Sequence, residues 1–495
     1  CTATMSGLSL PINWNTMLLF FSSTAFTFIV IVSFTRFFFW RQRKIQRKGD
    51  FSTKKIAFFH PYCAAGGGGE RVLWKAIQSL DEIHRERFGS FEIVIYTIDK
   101  KHKDYKENLF KKIQSRFSIS APASVRVSFV FLDRYSSYLG KAKRFSLFAE
   151  SFGTMLFAFR ACVERTPDVF FDTTGCAFTF FVARVLAGCK VVAYVHYPTI
   201  SSDMLHLVWD RRPTYNNDVA VTRSTIITYF KLVYYIIFAL AYASMGSLCH
   251  VVMVNSSWTR GHISLLWKGA AGRIWTVFPP CDVDQSYKTM KTSFSLSRPQ
   301  PIILSIGQFR PEKDHKLQIY SFAKLLEKYP KWKAAGAKLV LLGSCRGEDD
   351  KRRVKELSFL VKSMELNDSV QFVLNQPYSV LKDWCNQAAV GLHTMWNEHF
   401  GIAVVEMMAA GLLVIAHNSG GPKEDIIVTL PGTERTGFLA LTKDEFADSM
   451  NAALSMSKEE ATRTRQRAID SVNRFSDDTF GLSFKRVILD SKILT

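Results

Sequence analysis

The sequence predicts an α/β protein, with two doubly wound parallel-sheet domains facing a cleft and a transmembrane helix ahead of them. Three observations predict it. Residues 1–35 carry no charge and are followed at once by a cluster of Arg and Lys. From Lys54 onward, short continuous apolar runs alternate with helical patterns, as strands covered on both faces do. That alternation lapses once, around residues 279–301, and then restarts.

Composition sets the bounds. A chain of 495 residues has room for two or three domains at about 150 residues each. The 47% hydrophobic content and 41 Phe direct attention to membrane segments. Lys and Arg number 64 against 43 Asp and Glu, a net +21 that suits an anionic partner such as acidic headgroups or phosphorylated substrates. No zinc-finger or RNP-like pattern accompanies the charge, so no nucleic-acid partner is expected. The nine cysteines are scattered without a C-x-x-C, which reads as reduced thiols in a cytosolic compartment and not as a disulfide frame or metal site. Asn255 and Asn367 begin glycosylation-like triplets, which carry no weight in a cytosolic domain.

The elements follow in order. Residues 1–16 are expected as a short lumenal segment and 17–40 as a membrane anchor. Met17 to Thr35 holds 13 apolar residues in 19, the rest Ser or Thr, and such a helix is roughly 28 Å long against a hydrocarbon core of ~30 Å. Phe37 to Trp40 form an aromatic belt; Arg36, Arg41, Arg43, Lys44, Arg47 and Lys48 keep their side of the membrane cytosolic, so the remainder faces the cytosol. A cleaved signal peptide needs a basic leader and a small-residue cleavage site, and neither pattern is present. After a basic segment at 41–53, residues 54–278 are expected as the first Rossmann-like domain, with strands in "IAFF", "FEIVIY", "VRVSFVFL", "DVFF", "VVAYV", "HVVMVN" and "IWTVF". Leu232 to Leu248 is uncharged and is expected as a buried or interfacial helix, not a second span, because a strand follows at once. Residues 279–301 are the linker, where Pro, Ser and Lys collect. The second Rossmann-like domain is expected at 302–475, with strands in "PIILSIG", "KLVLLG", "VQFV", "VGLH" and "LLVIAH", and residues 476–495 are expected as a terminal helix packing back.

Three stretches carry chemistry. "HPYCAAGGGGERVLW" follows the first strand and opens a helix. Gly67, Gly68 and Gly69 let backbone amides approach an anion, although a tight strand-to-helix turn needs the same glycines. "SIGQFRPEKDH" places Arg310 and Lys313 after the first strand of the second domain, where Arg can hold two phosphate oxygens and Lys one charge. "NEHFGIAVVEMMAAG" places Glu398 before a helix and Glu406 in its second turn. If that helix starts near Gly401, the amides of His399, Phe400, Gly401 and Ile402 are unpaired and carry partial positive charge, suited to a diphosphate. Two carboxylates bracketing those amides suit the hydroxyls of a sugar on each side of it, as in a nucleotide sugar.

This last segment resembles the E-x7-E motif of the retaining GT-B glycosyltransferases of family four. "GGGGE", "GQFRPEK" and "NSGGPKED" fall where that family has its glycine loop, phosphate loop and second glycine turn. "FFHPYCAAGGGGERVLW", "YVHYPTIS", "VVMVNSSWT", "PPCDV" and "LHTMWNEHFGIAVVEMMAAG" are similar to its α-1,2-mannosyltransferase branch, which extends the dolichol-linked oligosaccharide at the endoplasmic reticulum; the likeness runs from about Ile56 to Phe475. The resemblance implies a GT-B fold and transfer of mannose from GDP-mannose, on the cytosolic face, to the trimannosyl lipid-linked core, adding the fourth and fifth mannoses with retention. It implies that Glu406 holds the ribose, Glu398 the donor mannose, and Lys313 with Arg310 the diphosphate, with His196 at the transfer site; Glu398 and His196 are then the catalytic residues. Gln308 stands where the wider family commonly has Arg, and Arg310 is the candidate replacement. Partners implied are the dolichol-linked acceptor, membrane lipids of the endoplasmic reticulum and other mannosyltransferases of the pathway. Asp282 and Asp284 match the short D-x-D of metal-using transferases but follow two prolines in the linker, and no metal or other cofactor is expected. Another membrane-anchored family-four transferase with a different lipid acceptor is the alternative enzyme, and a noncatalytic nucleotide-sugar-binding scaffold the alternative from another class.

Overall fold

A computed structural model describes residues 14–47, 52–86, 91–140, 146–201, 203–204, 225–283, 300–428 and 434–495. Most of the expected lumenal segment and the middle of the expected linker, Asp284 included, lie outside the described residues.

Two parallel sheets form, each from strands too apolar to face water on either side. The first contains β1 (Lys54–Phe59), β2 (Phe91–Thr97), β3 (Arg126–Phe131), β4 (Val169–Asp172), β5 (Lys190–Val195), β6 (Val251–Val254) and β7 (Ile274–Thr276), in the order β3-β2-β1-β4-β5-β6-β7. The second contains β8 (Ile302–Ile306), β9 (Lys338–Gly343), β10 (Val370–Leu374), β11 (Val390–His393), β12 (Leu413–His417) and β13 (Phe438–Ala440), in the order β10-β9-β8-β11-β12-β13. Every pairing is parallel. The strand order reverses between β1 and β4 in the first sheet and between β8 and β11 in the second. At such switch points a crevice opens at the carboxyl ends of the strands. Of these strands the sequence reading lacks β13, a three-residue strand at the sheet edge.

The N-terminal helix Trp14–Arg47 does not stop at residue 40 but runs unbroken for 34 residues, about 51 Å. Its last turns dock on the first lobe. Phe39, expected in an aromatic belt, is fully buried against Phe159, whereas Phe37 and Trp40 remain outside and stack on each other. Helix geometry separates them, because neighbouring positions face about 100° apart. Arg43 donates to the carbonyls of Pro167 and Ala187 at 2.8 and 2.9 Å, and Arg47 pairs with Asp168 at 2.5 Å. These two cations are therefore spent on the protein and not on headgroups.

Among the described residues, three helices are long and apolar enough to cross a membrane by length and composition: Ser22–Arg47, Ser146–Glu164 and Thr228–Gly246. The second buries Phe157, Ala158, Ala161 and Cys162 in the first lobe's core. The third belongs to the helix Thr225–Gly246, which buries Phe238 and Tyr242 while Phe230, Ile237 and Leu240 stay more than half exposed. The terminal helix Asp477–Asp490 returns to the first lobe, inserting Phe480 and Phe484 beside Tyr194 and Phe171.

Candidate active site

The candidate site residues converge on the two switch points and the loops beside them. From the first sheet come the glycine loop after β1, Thr173 after β4 and His196 after β5; from the second come Lys313 after β8 and Glu398 after β11.

Glu398 is the best-anchored side chain. Lys313 Nζ donates to its Oε2 at 2.5 Å, and His393 Nε2 donates to the same oxygen at 3.1 Å. Burial alone would push this carboxyl up, but Lys313 and the His393 hydrogen bond overcome it and hold Glu398 well below the usual carboxylate range. Its loop is tied from beneath. Gly421 N–H donates to the Glu398 carbonyl at 2.8 Å, and Asn397 N–H to Ser419 Oγ at 2.8 Å. Gly420, at φ +61°, lies so close that a Cβ there would sit 2.3 Å from the Glu398 carbonyl oxygen. The "NSGGPKED" turn therefore serves the loop by close backbone approach.

The helix after this loop spans Ile402–Ala409, with Gly401 at φ +112° as its cap. Among the described residues, the amides of His399, Phe400, Gly401 and Ile402 have no protein acceptor. These are the amides that the sequence reading leaves unpaired at the start of the helix. Glu406, one turn further in, meets a different field. Burial pushes its carboxyl up to about 7 and Asp282 adds to this, while Arg71 and Arg116 of the first lobe pull the other way.

On the facing lobe, Glu70 occupies the glycine loop. One of its oxygens accepts from Gly67 N–H, and the other accepts from His60 Nε2 at 3.4 Å. The Gly67 amide, expected to face the donor, is thus already engaged within the loop. Gly68 packs against the second lobe, where a Cβ would come within 2.6 Å of Ile402 Cδ1. A Cβ on Gly69 would lie 3.7 Å from His196 Nε2. His60 Nδ1 faces Thr173 Oγ1 at 2.7 Å, and His196 Nε2 lies 3.1 Å from the Thr173 carbonyl. Burial first, and the neighbouring His60 second, lower His196 to about 4, so it is a neutral imidazole. With its Nε2–H turned to a carbonyl, Nδ1 carries the lone pair.

Arg310 is not brought to Glu398. Its side chain is 52% exposed and lies 3.9 Å from Glu312. Sequence reasoning missed His393, His60, Thr173 and Arg71. His393 ends a buried strand five positions before Glu398, a signal that was available; the others are joined only by the fold. Among the described residues, no group of three or more His, Cys, Asp or Glu is arranged to hold a metal ion.

Comparison with known proteins agrees with this architecture. Residues 53–267 match the family described as ALG11 mannosyltransferase N-terminus, and residues 287–471 match Glycosyl transferases group 1. Among solved structures, sucrose-phosphate synthase from Thermosynechococcus elongatus superposes with a TM-score of 0.63 at 16% identity, over 89% of this chain and 100% of that one. Anabaena HepE in complex with UDP and glucose gives 0.56 at 15%, over 88% and 100%. These two establish the GT-B fold. Relatives named GDP-Man:Man(3)GlcNAc(2)-PP-Dol alpha-1,2-mannosyltransferase come from Xenopus laevis, 44% identical over 92% of each chain, and from Dictyostelium discoideum, 41% identical over 90% of this chain and 86% of that one. A third, from Caenorhabditis elegans, is 36% identical over 88% and 91%. With that identity along nearly the whole length, and the site built on the same two-sheet frame, the chain belongs to the family of GDP-Man:Man(3)GlcNAc(2)-PP-Dol alpha-1,2-mannosyltransferases.

Proposed function

We propose that the protein transfers mannose from GDP-mannose to the dolichol-pyrophosphate-linked trimannosyl core in α-1,2 linkage, twice in succession. The observation that carries this reading is the ionised Glu398, paired with Lys313 ahead of four unengaged helix amides. The names of the relatives supply donor and acceptor. Glu406 holds the ribose hydroxyls, the helix amides and Lys313 hold the diphosphate, and Glu398 accepts from the donor mannose. Arg310 reaches the diphosphate only if its exposed side chain turns inward.

The bond from the mannose anomeric carbon to the β-phosphate oxygen breaks, and the negative charge that develops on that oxygen falls to Lys313 and the amides. The acceptor hydroxyl attacks from the same face, forming the new glycosidic bond, and its proton passes to the departing phosphate. The His196 Nδ1 lone pair orients a sugar hydroxyl at this point. No step requires a metal in this scheme. The lobes work on the cytosolic face of the endoplasmic reticulum membrane, with the N-terminal helix as the single span and the apolar outer face of Thr225–Gly246 lying in the interface.

The test is mass spectrometry of a trimannosyl-chitobiose pyrophosphoryl lipid incubated with the purified protein and GDP-mannose, with UDP-sugars in parallel. A gain of two hexoses, removed by an α-1,2-mannosidase, is expected. A gain only with a UDP-sugar would overturn the donor assignment.

A further inference from the structure

Glu398 and His196 stand on opposite lobes, and no direct contact joins them. Their immediate neighbours in sequence do touch. The Tyr197 ring stacks on the His399 ring with centroids 5.1 Å apart and planes within 19°. Trp258 meets His399 at 5.3 Å and packs on His262 at 4.3 Å. On the other side of Glu398, Asn397 Nδ2 donates to Asp203 at 2.7 Å, and the same Asp203 oxygen lies 3.5 Å from His262 Nε2.

We infer that Tyr197, Asp203 and Trp258 are positioning residues that grip the chain on both sides of Glu398 and so set its placement against His196. The inference rests on the functional reading above and adds to it the device that sets the gap between the two lobes. Its strength lies in the bracketing. A hydrogen bond holds residue 397 and two aromatic contacts hold residue 399, interactions of different kind, made by segments that follow two neighbouring strands, β5 and β6. One of the gripping residues, Tyr197, is itself bonded to His196. Successive Cα atoms are about 3.8 Å apart, so a slip of Tyr197 along His399 displaces His196 by a comparable amount. Asn397 adopts φ +49°, a left-handed state that Asn enters more readily than most residues with a Cβ. Ser419 holds its amide from within the second lobe, and Asp203 its side chain from the first. The nucleotide, by contrast, is assigned to Glu406, Lys313 and the helix amides; the three residues meet this set only through the ring of His399 and not through its backbone amide.

A split between turnover and nucleotide binding follows. The experiment uses the full-length protein purified in detergent, measuring kcat and KM for mannose transfer, Kd for GDP by calorimetry, and Tm. Tyr197 is half-exposed, so Tyr197→Ala is expected to fold. It should lower kcat about tenfold to a hundredfold, the scale on which a misplacement of ~1 Å acts, while Kd for GDP changes less than about twofold. Tyr197→Phe, which keeps the ring, should retain turnover; Asp203→Ala should reproduce the loss from the other side of Glu398. Wild-type kcat in both Tyr197→Ala and Asp203→Ala would overturn the inference, as would a fall in GDP affinity parallel to the fall in kcat. A wild-type protein that binds no GDP and transfers no mannose would overturn the functional reading and this inference with it. Wild-type turnover beside unimpaired variants overturns this inference alone.

Discussion

At the scale of single residues, the two glutamates of one motif are shifted in opposite directions because their surroundings differ. Lys313, from the loop after β8, and His393, at the end of β11, keep Glu398 ionised despite burial. Breaking a buried pair leaves an uncompensated charge and costs about 3–5 kcal/mol, so Lys313→Met is expected to lower kcat/KM at least about a hundredfold, measured by mannose transfer at fixed acceptor. Glu406 is pushed up to about 7 by burial. Its hydroxyl-accepting form is the ionised one, so donor binding releases a proton and affinity rises with pH through that value. Between pH 6 and pH 8 the KM for GDP-mannose should fall about tenfold; Glu406→Gln should flatten the profile, and an unchanged profile in that variant would assign the titration elsewhere. The spacing of the two acids, and the helix end between them, were legible in "NEHFGIAVVE". Their different titration was not, because Lys313, which holds Glu398 down, lies 85 positions before it, and the burial that raises Glu406 exists only in the fold.

At the scale of elements, glycine-rich turns are easily mistaken for ligand contacts. The turn at Gly420 was legible as a family feature, but its physical role is to let the chain pass beneath the Glu398 loop. A methyl group at Gly420 meets the Glu398 carbonyl oxygen at 2.3 Å in a left-handed conformation, which alone costs roughly 1–2 kcal/mol. Gly420→Ala is therefore expected to lower Tm by several degrees and turnover by more than about tenfold. A normal Tm with normal turnover would mean that the loop has slack that its hydrogen bonds do not suggest. The glycine loop after β1 shows the converse. A Cβ on Gly68 would press on Ile402, one on Gly69 would make only ordinary contact with His196, and Gly67 serves the Glu70 carboxylate. Helix Trp14–Arg47 was legible as an apolar run followed by cations. Its docking was not, because Arg43 and Arg47 look like any headgroup-facing residues until the fold brings Asp168 beneath them.

At the scale of the whole molecule, continuous apolar strands separated by helices announced two covered parallel sheets, and that inference needed no side-chain detail. Periodicity says less about which sheet a returning helix completes. The terminal helix Asp477–Asp490 follows the second lobe in sequence yet belongs to the core of the first. Phe480, Phe484, Val487 and Ile488 are buried there with Ile493 beyond the helix, Lys485 pairs with Glu82 at 2.9 Å, and Asp477 accepts from Arg71 at 2.9 Å. Burying an apolar side chain of this size contributes about 1.5–3 kcal/mol, so five of them match the net stability of an ordinary domain, about 5–15 kcal/mol. The second sheet has its own core, with Leu304, Val340, Val405 and Val414 fully buried, and it carries Lys313, Glu398 and Glu406. Truncation after Ser476 is accordingly expected to remove the first lobe's cooperative melting and all mannose transfer, while calorimetry still detects GDP binding. Retained transfer would mean that the first sheet closes without its terminal helix, and loss of GDP binding would mean that the nucleotide site depends on the lobe it faces.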